Sequence, residues 1–457
     1  MNIFFTGFGK MEFSNQIVGM PVMLKKLTDE LSLRNFKCFY LYQKSNVGIE
    51  KSGKVFDSLG IQASRLPLIV NTSPPYTEFK KYDTDELEDL TYFLNEYYKL
   101  VYDKDESINN RSKVVKVLES LKYYDKEIGV DFFVVWGTAL IPRIIHKYAM
   151  KNKKKVIIFE NGYFRPFTLT VDNFGVNSEN SLPRNPEFYE DINVSYDRYN
   201  KYLLRPEIAK IDAGLTDKFL DKLKIEKPIK NNSFSDNSKK MNLDDGDFIF
   251  VPFQLQSDAQ IIRNSPNISY MKKLVEITLK AVLNYNNRNE KQKHLKIIYK
   301  PHPLQESDGK SYDIKEIMQL VGKSKVAEIA EDISTDYLIK NSKAVITINS
   351  TVGIEALVNE KPVITLGNTF YNIDGLVCNV HPDNLDRDFD DIIEFKPRKE
   401  LLHKYLYFLR FNYFVECFYP DADDKSIKRV VDRMLMLNES RDQRIYETKD
   451  NSNYPSL

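Results

Sequence analysis

Several features that stabilise or target proteins are scarce or missing in this chain of 457 residues. Its three cysteines, Cys38, Cys378 and Cys417, stand far apart with no CxxC pair. That argues against a disulfide framework and a cysteine zinc site, and it fits a reducing compartment. No apolar run approaches the ~18 residues of a membrane-spanning helix. The opening MNIFFTGFGK has too short an apolar run for a signal peptide and no basic segment before it. A net charge of +1 removes any argument for general nucleic-acid binding. Histidine is sparse, with five in all. What remains, 42% hydrophobic and 29% charged residues, reads as a soluble globular chain with room for two or three domains.

Strand-like and helix-like segments alternate. NIFFT (2–6), KCFYLY (37–42), DFFVVW (131–136) and KVIIFE (155–160) read as strands. Helical patterns fill 15–34, 84–125 and about 198–224. Strands alternating with helices imply a parallel sheet covered on both faces. The stretch IKNNSFSDNSKKMNLDDGD (229–247) is polar and turn-rich and reads as a linker. The alternation then restarts with DFIFVPF (247–253), HLKIIYK (294–300), KVAEIA (325–330), KAVITI (343–348) and KPVITL (361–366). From about 398 the pattern is helical, through KYLYFLRFNYFVECF and SIKRVVDRMLMLN. The expected fold class is therefore α/β and GT-B-like, the two-domain architecture of nucleotide-sugar glycosyltransferases. Two Rossmann-like domains would face a cleft, with C-terminal helices packing back. The expected divisions are an acceptor domain at 1–228, a linker at 229–246, a nucleotide-sugar domain at 247–385 and crossing helices at 386–457.

Chemistry in such folds gathers in loops after the C-terminal ends of strands, and four such loops are unusual. In IIYKPHPLQE (297–306), prolines on both sides restrict the backbone around His302, just after Lys300. Lysine and histidine held there suit a phosphate and a leaving group. A proline-stiffened turn with a surface histidine accounts for the same residues. In NSTVGIEAL (349–357), Asn349 or Ser350 suits a helix N-cap. The first-turn amides, with the Ser350 and Thr351 hydroxyls, suit an anion. Gly353 would let the backbone approach a ligand. An ordinary capped helix explains Asn349 and Ser350 equally.

In VPFQLQSDAQI (251–261), Gln254, Gln256 and Asp258 follow a buried strand, where polar residues suggest a cleft. Asp258 fits a base, a nucleophile or a structural cap. The fourth loop, FENGYFRPFTLTVDNFGVNSENSLPR (159–184), carries Glu160 at a strand end, an Asn161-Gly162 turn and Arg165 before Pro166. A loop of this length is usually functional or disordered, and its aromatic content argues for function. Glu160 alone also fits a capping or salt-bridged acid. The acidic pairs Asp244-Asp245 and Asp390-Asp391 lie in polar contexts that read as linker and surface, not metal sites.

Taken in order, FENGYFRP, VNSENSLPR, VPFQLQSDAQI, KPHPLQE, and ITINSTVGIEAL with KPVITLGNTFYNIDGL resemble the capsule polysaccharide biosynthesis proteins, the bacterial β-Kdo transferases of the KpsS and KpsC type. The resemblance spans about 160 to 376. One copy of each motif makes the single-module, lipid-initiating type the better match. The resemblance implies transfer of the sugar acid Kdo from CMP-β-Kdo with retention. It makes Asp258 the candidate nucleophile, within a QxxxD-type motif begun by Gln254, and Glu160 the candidate base. Lys300, His302, Ser350 and Thr351 would hold the CMP phosphate, with Asn349, Gly353, Gln254, Arg165 and Asn161 around the substrates.

The implied partners are a CMP-sugar donor, a phosphatidylglycerol-type lipid or Kdo-lipid acceptor, and capsule assembly and export proteins, with no nucleic acid. No cofactor or metal is implied. The implied location is cytoplasmic, with peripheral contact at the inner face of the bacterial cytoplasmic membrane. KSIKRVVDRMLML (425–437) is the stretch that suggests such contact, although a domain-packing helix explains it better. Two other readings stay open: a transferase of CDP-glycerol or a UDP-sugar on the same fold, and a non-catalytic scaffold of capsule assembly.

Overall fold

In the computed structural model, the described residues are 1–8, 12–13, 16–17, 20–42, 59–67, parts of 88–99, 107–138, 140–164, 168–203, 248–289, 294–303, 314–419 and 422–440. The expected linker at 229–246, the end of the helical stretch near 224 and Arg165 lie outside them. The chain divides into two compact units. One is built from 1–98, 104–182 and 409–457, the other from 99–103 and 183–408. The C-terminal stretch passes from the second unit to the first between Phe408 and Leu409, and 183–203 belong with the second.

In the first unit, β1 (Asn2–Thr6) is followed by the short antiparallel pair β2 (Glu12–Phe13) and β3 (Gln16–Ile17). The main sheet continues with β4 (Lys37–Tyr42), β5 (Ser64–Pro67), β6 (Phe132–Trp136), β7 (Lys155–Asn161) and β8 (Thr168–Asp172). Its order is β15-β8-β7-β6-β1-β4-β5, where β15 is Val415–Glu416. The five strands from β7 to β5 are parallel, whereas β8 pairs antiparallel with both β7 and β15. Strands in such a sheet are buried on both faces, which explains why FFVVW is a continuous apolar run.

In the second unit, β9 (Phe248–Pro252), β10 (Lys296–Lys300), β11 (Ala327–Ile329), β12 (Ala344–Thr347), β13 (Val363–Thr365) and β14 (Cys378–Asn379) form one parallel sheet. Its order is β11-β10-β9-β12-β13-β14. Counted from its first strand, that is 3-2-1-4-5-6, the doubly wound order of Rossmann folds. Both units are thus Rossmann-like α/β layers, as the alternation predicts.

Two sequence expectations need correction. Thr168–Asp172, read as part of a long loop, is a buried strand paired to β7. KYLYFLRFNYFVECF is not one helix. The helix Lys399–Phe408 gives way to a π-turn at Leu409–Tyr413 and then to β15. The helix Asp424–Glu439 buries Ile427, Val430, Val431, Met434 and Leu437 in the core of the first unit, so its apolar stripe is a packing face. Cys38 and Cys417 lie in that same core, each thiol pushed up to about 12 by burial and so inert. Among the described residues, no helix is long and apolar enough to cross a membrane.

Candidate active site

The doubly wound sheet of the second unit has its switch point between β9 and β12, and the polar loops follow those strands. Gln254 comes two residues after β9, and Asn349 two after β12. Gln254 Nε2 donates to Asn349 Oδ1 at 2.8 Å, and the Asn349 amide donates to Gln254 Oε1 at 3.2 Å. Both are buried. Buried amides carry more donors and acceptors than most cores satisfy, so such pairs are held by reciprocal bonding. Asn349 Nδ2 reaches the Gln260 carbonyl at 2.9 Å, tying the loop after β9 to the end of β12.

Asp258 is exposed and caps the helix Ala259–Asn264, its Oδ1 accepting the Gln260 amide at 2.8 Å. The structural-cap role is therefore realised. Capping uses one lone pair of Oδ1 and leaves the negative charge in place. Ser350 also acts as a cap, its Oγ accepting the Val352 amide at 3.2 Å. Thr351, half-buried with helical dihedrals, follows it at the start of the helix Val352–Val358. Gly353 has a packing reason beside the expected one. A Cβ there would stand 2.4 Å from the Tyr371 hydroxyl, which donates to the Ser350 carbonyl. The glycine makes room for that tyrosine.

Lys300 ends β10, the strand beside β9. Its Nζ donates to the Glu331 and Ile333 carbonyls at 3.0 and 2.7 Å, bracing the loop after β11. His302 follows it, half-buried between Pro301 and Pro303. The structure thus brings Gln254, Asn349, Asp258, Ser350, Thr351, Lys300 and His302 to one end of one parallel sheet.

Glu160 and Asn161 belong to the first unit, at the end of β7. Glu160 Oε1 accepts the Asn161 amide at 2.9 Å. Its Oε2 lies 3.6 Å from the place of a Cβ on Gly137, just past the neighbouring strand β6. Among the described residues, Asn161 Oδ1 is buried without a hydrogen-bond partner. A buried unsatisfied acceptor is costly and marks a place where a donor can dock.

Sequence reading missed Asp172. Fully buried at the end of β8, it accepts from Phe174 N (2.7 Å), Gly175 N (3.1 Å), Ser181 N (2.9 Å), Ser181 Oγ (2.6 Å) and Tyr413 Oη (2.9 Å). Five donors on one carboxylate offset its desolvation. They fold VDNFGVNSENS around a single anion, so the asparagine-rich loop is ordered by Asp172. The only hint in the sequence was its place at the end of TLTVD, before small and amide residues.

Comparison with known proteins agrees with the family resemblance. The family described as capsule polysaccharide biosynthesis protein matches residues 132–201 and 193–419. Protein FixF of Sinorhizobium fredii (strain NBRC 101917 / NGR234) is 27% identical over 333 residues, covering 72% of this chain and 72% of that protein. The capsule polysaccharide export protein KpsS of Escherichia coli is 26% identical over 318 residues, covering 62% and 78%. Among solved structures, KpsC of Thermosulfurimonas dismutans, described as a beta Kdo 2,7 transferase, superposes with a TM-score of 0.37 and 18% identity, over 87% of this chain and 99% of that one. The matched segments take in well over half of the 457 residues, and the chain belongs to the capsule polysaccharide biosynthesis protein family.

Proposed function

We propose that this protein is a retaining glycosyltransferase that moves Kdo from CMP-β-Kdo to a lipid or Kdo-lipid acceptor during capsule polysaccharide biosynthesis. The observation that carries the proposal is that Asp258, Lys300, His302 and Ser350 all lie at or just past the C-terminal ends of the adjacent strands β9, β10 and β12, two of which are joined by the Gln254–Asn349 pair. They lie at the C-terminal end of a doubly wound sheet, where open α/β proteins bind their ligands.

In this reading the CMP phosphate lies against Ser350, Thr351 and His302, with the Lys300 charge close by. Hydrogen-bond donors and positive charge fixed there stabilise the phosphate as the bond to Kdo breaks. Kdo has no hydroxyl beside its anomeric carbon and carries a carboxylate on it, so an oxocarbenium-like centre forms readily. The Asp258 carboxylate attacks that carbon, the carbon–oxygen bond to phosphate breaks, and CMP leaves with the electron pair. Glu160 then takes the proton of the acceptor hydroxyl, whose oxygen displaces Asp258 and completes net retention. The sequence needs no metal.

The test is incubation with CMP-Kdo and a fluorescent phosphatidylglycerol analogue, with products read by mass spectrometry. CDP-glycerol and UDP-GlcNAc run as competing donors. Kdo-labelled lipid with release of CMP is expected. Consumption of another donor in place of CMP-Kdo sinks the donor assignment. Full product from Asp258→Ala and Glu160→Ala proteins sinks the catalytic one.

A further inference from the structure

Two residues, Gln260 within VPFQLQSDAQI and Asn264 just past it, connect the Asp258 cap to three strand ends. Gln260 makes three contacts at once. Its amide donates to Asp258 Oδ1 at 2.8 Å, its carbonyl accepts from Asn349 Nδ2 at 2.9 Å, and its Oε1 accepts from Asn264 Nδ2 at 2.7 Å. Asn264 is buried, and its carbonyl accepts the Asn368 amide at 2.8 Å from the loop after β13. That loop lies tight against Asn264. A Cβ on Gly367 would come within 2.9 Å of Ile348 Cγ2 and 3.1 Å of the Asn264 carbonyl. One polar chain therefore runs from Gln254 after β9, through Asn349 after β12, to Gln260, Asn264 and Asn368 after β13.

We propose that Gln260 and Asn264 are positioning residues that fix the Asp258 carboxylate relative to the ends of β9, β12 and β13. This rests on the reading of Asp258 as the nucleophile. The helix that Asp258 caps has only the residues Ala259–Asn264. So short a helix has little stability of its own, and its orientation is set by what it is bonded to. The Asn264 side chain bonds back onto Gln260, and its carbonyl holds the β13 loop. Removing that amide frees the first turn to tilt and carries Asp258 with it. A misplacement of roughly 1 Å at a reacting group can cost about 100-fold in rate, and CMP, held by other loops, would not register the change.

The test compares full-length Asn264→Ala, Gln260→Ala and Gln260→Glu proteins with the wild type, by CMP-Kdo turnover, CMP calorimetry and crystal structures. Gln260→Glu keeps an acceptor for Asn264 Nδ2, so it should retain most activity. Asn264→Ala and Gln260→Ala should lose roughly 10- to 100-fold in kcat, with KM and CMP affinity nearly unchanged. Both should show Asp258 displaced in the crystal, whereas a merely structural role would lower stability and leave the position of Asp258 and kcat unchanged. Asp258 unmoved in Asn264→Ala and Gln260→Ala overturns the inference, whatever the wild type does with CMP-Kdo. Asp258 displaced in a protein whose wild type ignores CMP-Kdo upholds the positioning and overturns the donor. Should Asn264→Ala fail to fold, the Gln260 pair decides.

Discussion

The side chains of Gln254 and Asn349 meet across the switch point of a parallel sheet, through one side-chain bond of 2.8 Å and one backbone-to-side-chain bond of 3.2 Å. Both are buried, so each depends on the other for hydrogen bonds that water would otherwise supply. Gln254→Leu should leave Asn349 Oδ1 and its amide unsatisfied, at a cost of about 1–3 kcal/mol. The double replacement with Asn349→Leu should cost less than the sum of the two singles. A coupling of about 0.5–3 kcal/mol in a denaturant double-mutant cycle is the expected result. Strict additivity would mean that the two amides act independently.

Much of this frame is legible in the sequence, and the reason is burial. DFIFVPF, HLKIIYK and KAVITI lie inside a sheet covered on both faces, so their apolar runs mark strands to within a residue or two. TLTVD fails that rule. Its threonines are buried beside Leu169 and Val171, and it sits among asparagines and glycines that signal a loop. KYLYFLRFNYFVECF fails it too, since its aromatic density reads as helix through the π-turn that ends one. The motif residues were visible as types and spacings. Their reasons were tertiary: nothing local to Gly353 predicts that Tyr371 fills the space beside it, and nothing near Asp172 announces Tyr413.

Among the described residues of the first unit, Asp172 should be a highly sensitive polar position. Asp172→Asn keeps the size but removes the charge and sets an amide donor against donors. A loss of at least about 2 kcal/mol is expected, since hydrogen bonds to charged groups are worth about 1.5–3 kcal/mol each. Tyr413→Phe removes one of the five donors and should cost about 1.5 kcal/mol. The sole tryptophan, Trp136, stacks on Phe159 in that unit, so its fluorescence reports the unfolding directly. An unchanged transition in Asp172→Asn would show the anion to be dispensable.

The loops proposed to hold the CMP phosphate make a separable prediction. His302→Ala and Ser350→Ala should both weaken CMP binding in calorimetry, by about 1.5–3 kcal/mol for a charge-assisted contact. Ser350→Ala should in addition destabilise the protein by about 1 kcal/mol, because it removes the bond to the Val352 amide. Equal CMP affinity in wild type and both variants would remove the phosphate clamp from the mechanism.

Glu360 couples backbone strain to pH. Its φ of 53° is left-handed, at the C-terminal end of the helix Val352–Val358, a place where glycine is usual. The hydrogen bond to His403 at 2.9 Å, followed by the one to Lys399 at 3.0 Å, lowers its pKa. A lowered carboxylate pKa gives stability that is present above the ordinary value of about 4.3 and lost as pH falls through the folded value. The pair is partly exposed, so it is worth under about 1 kcal/mol. The left-handed backbone costs about 1 kcal/mol or more at any pH. Glu360→Gly should therefore be near neutral at pH 7 and gain on the wild type between about pH 5 and 3. Parallel melting curves across that range would refute the coupling.

Asp258 carries the sharpest prediction. If it is the nucleophile, Asp258→Ala should abolish transfer while CMP still binds, because the carboxylate meets the sugar carbon and not the nucleotide. Asp258→Asn should be inactive too. The amide still accepts the Gln260 bond and keeps the cap, but it lacks the charge that traps the anomeric centre. That separates catalysis from capping, since both roles fall on one side chain and only the first needs the anion. Glu160→Gln should differ from both. The nucleophile survives and deprotonation of the acceptor is impaired, so a Kdo adduct on Asp258 should accumulate. Intact-protein mass spectrometry after mixing with CMP-Kdo would show it as a mass gain absent from the Asp258 variants. Near-normal turnover by Asp258→Asn would rule out the covalent route and leave Asp258 with its cap alone.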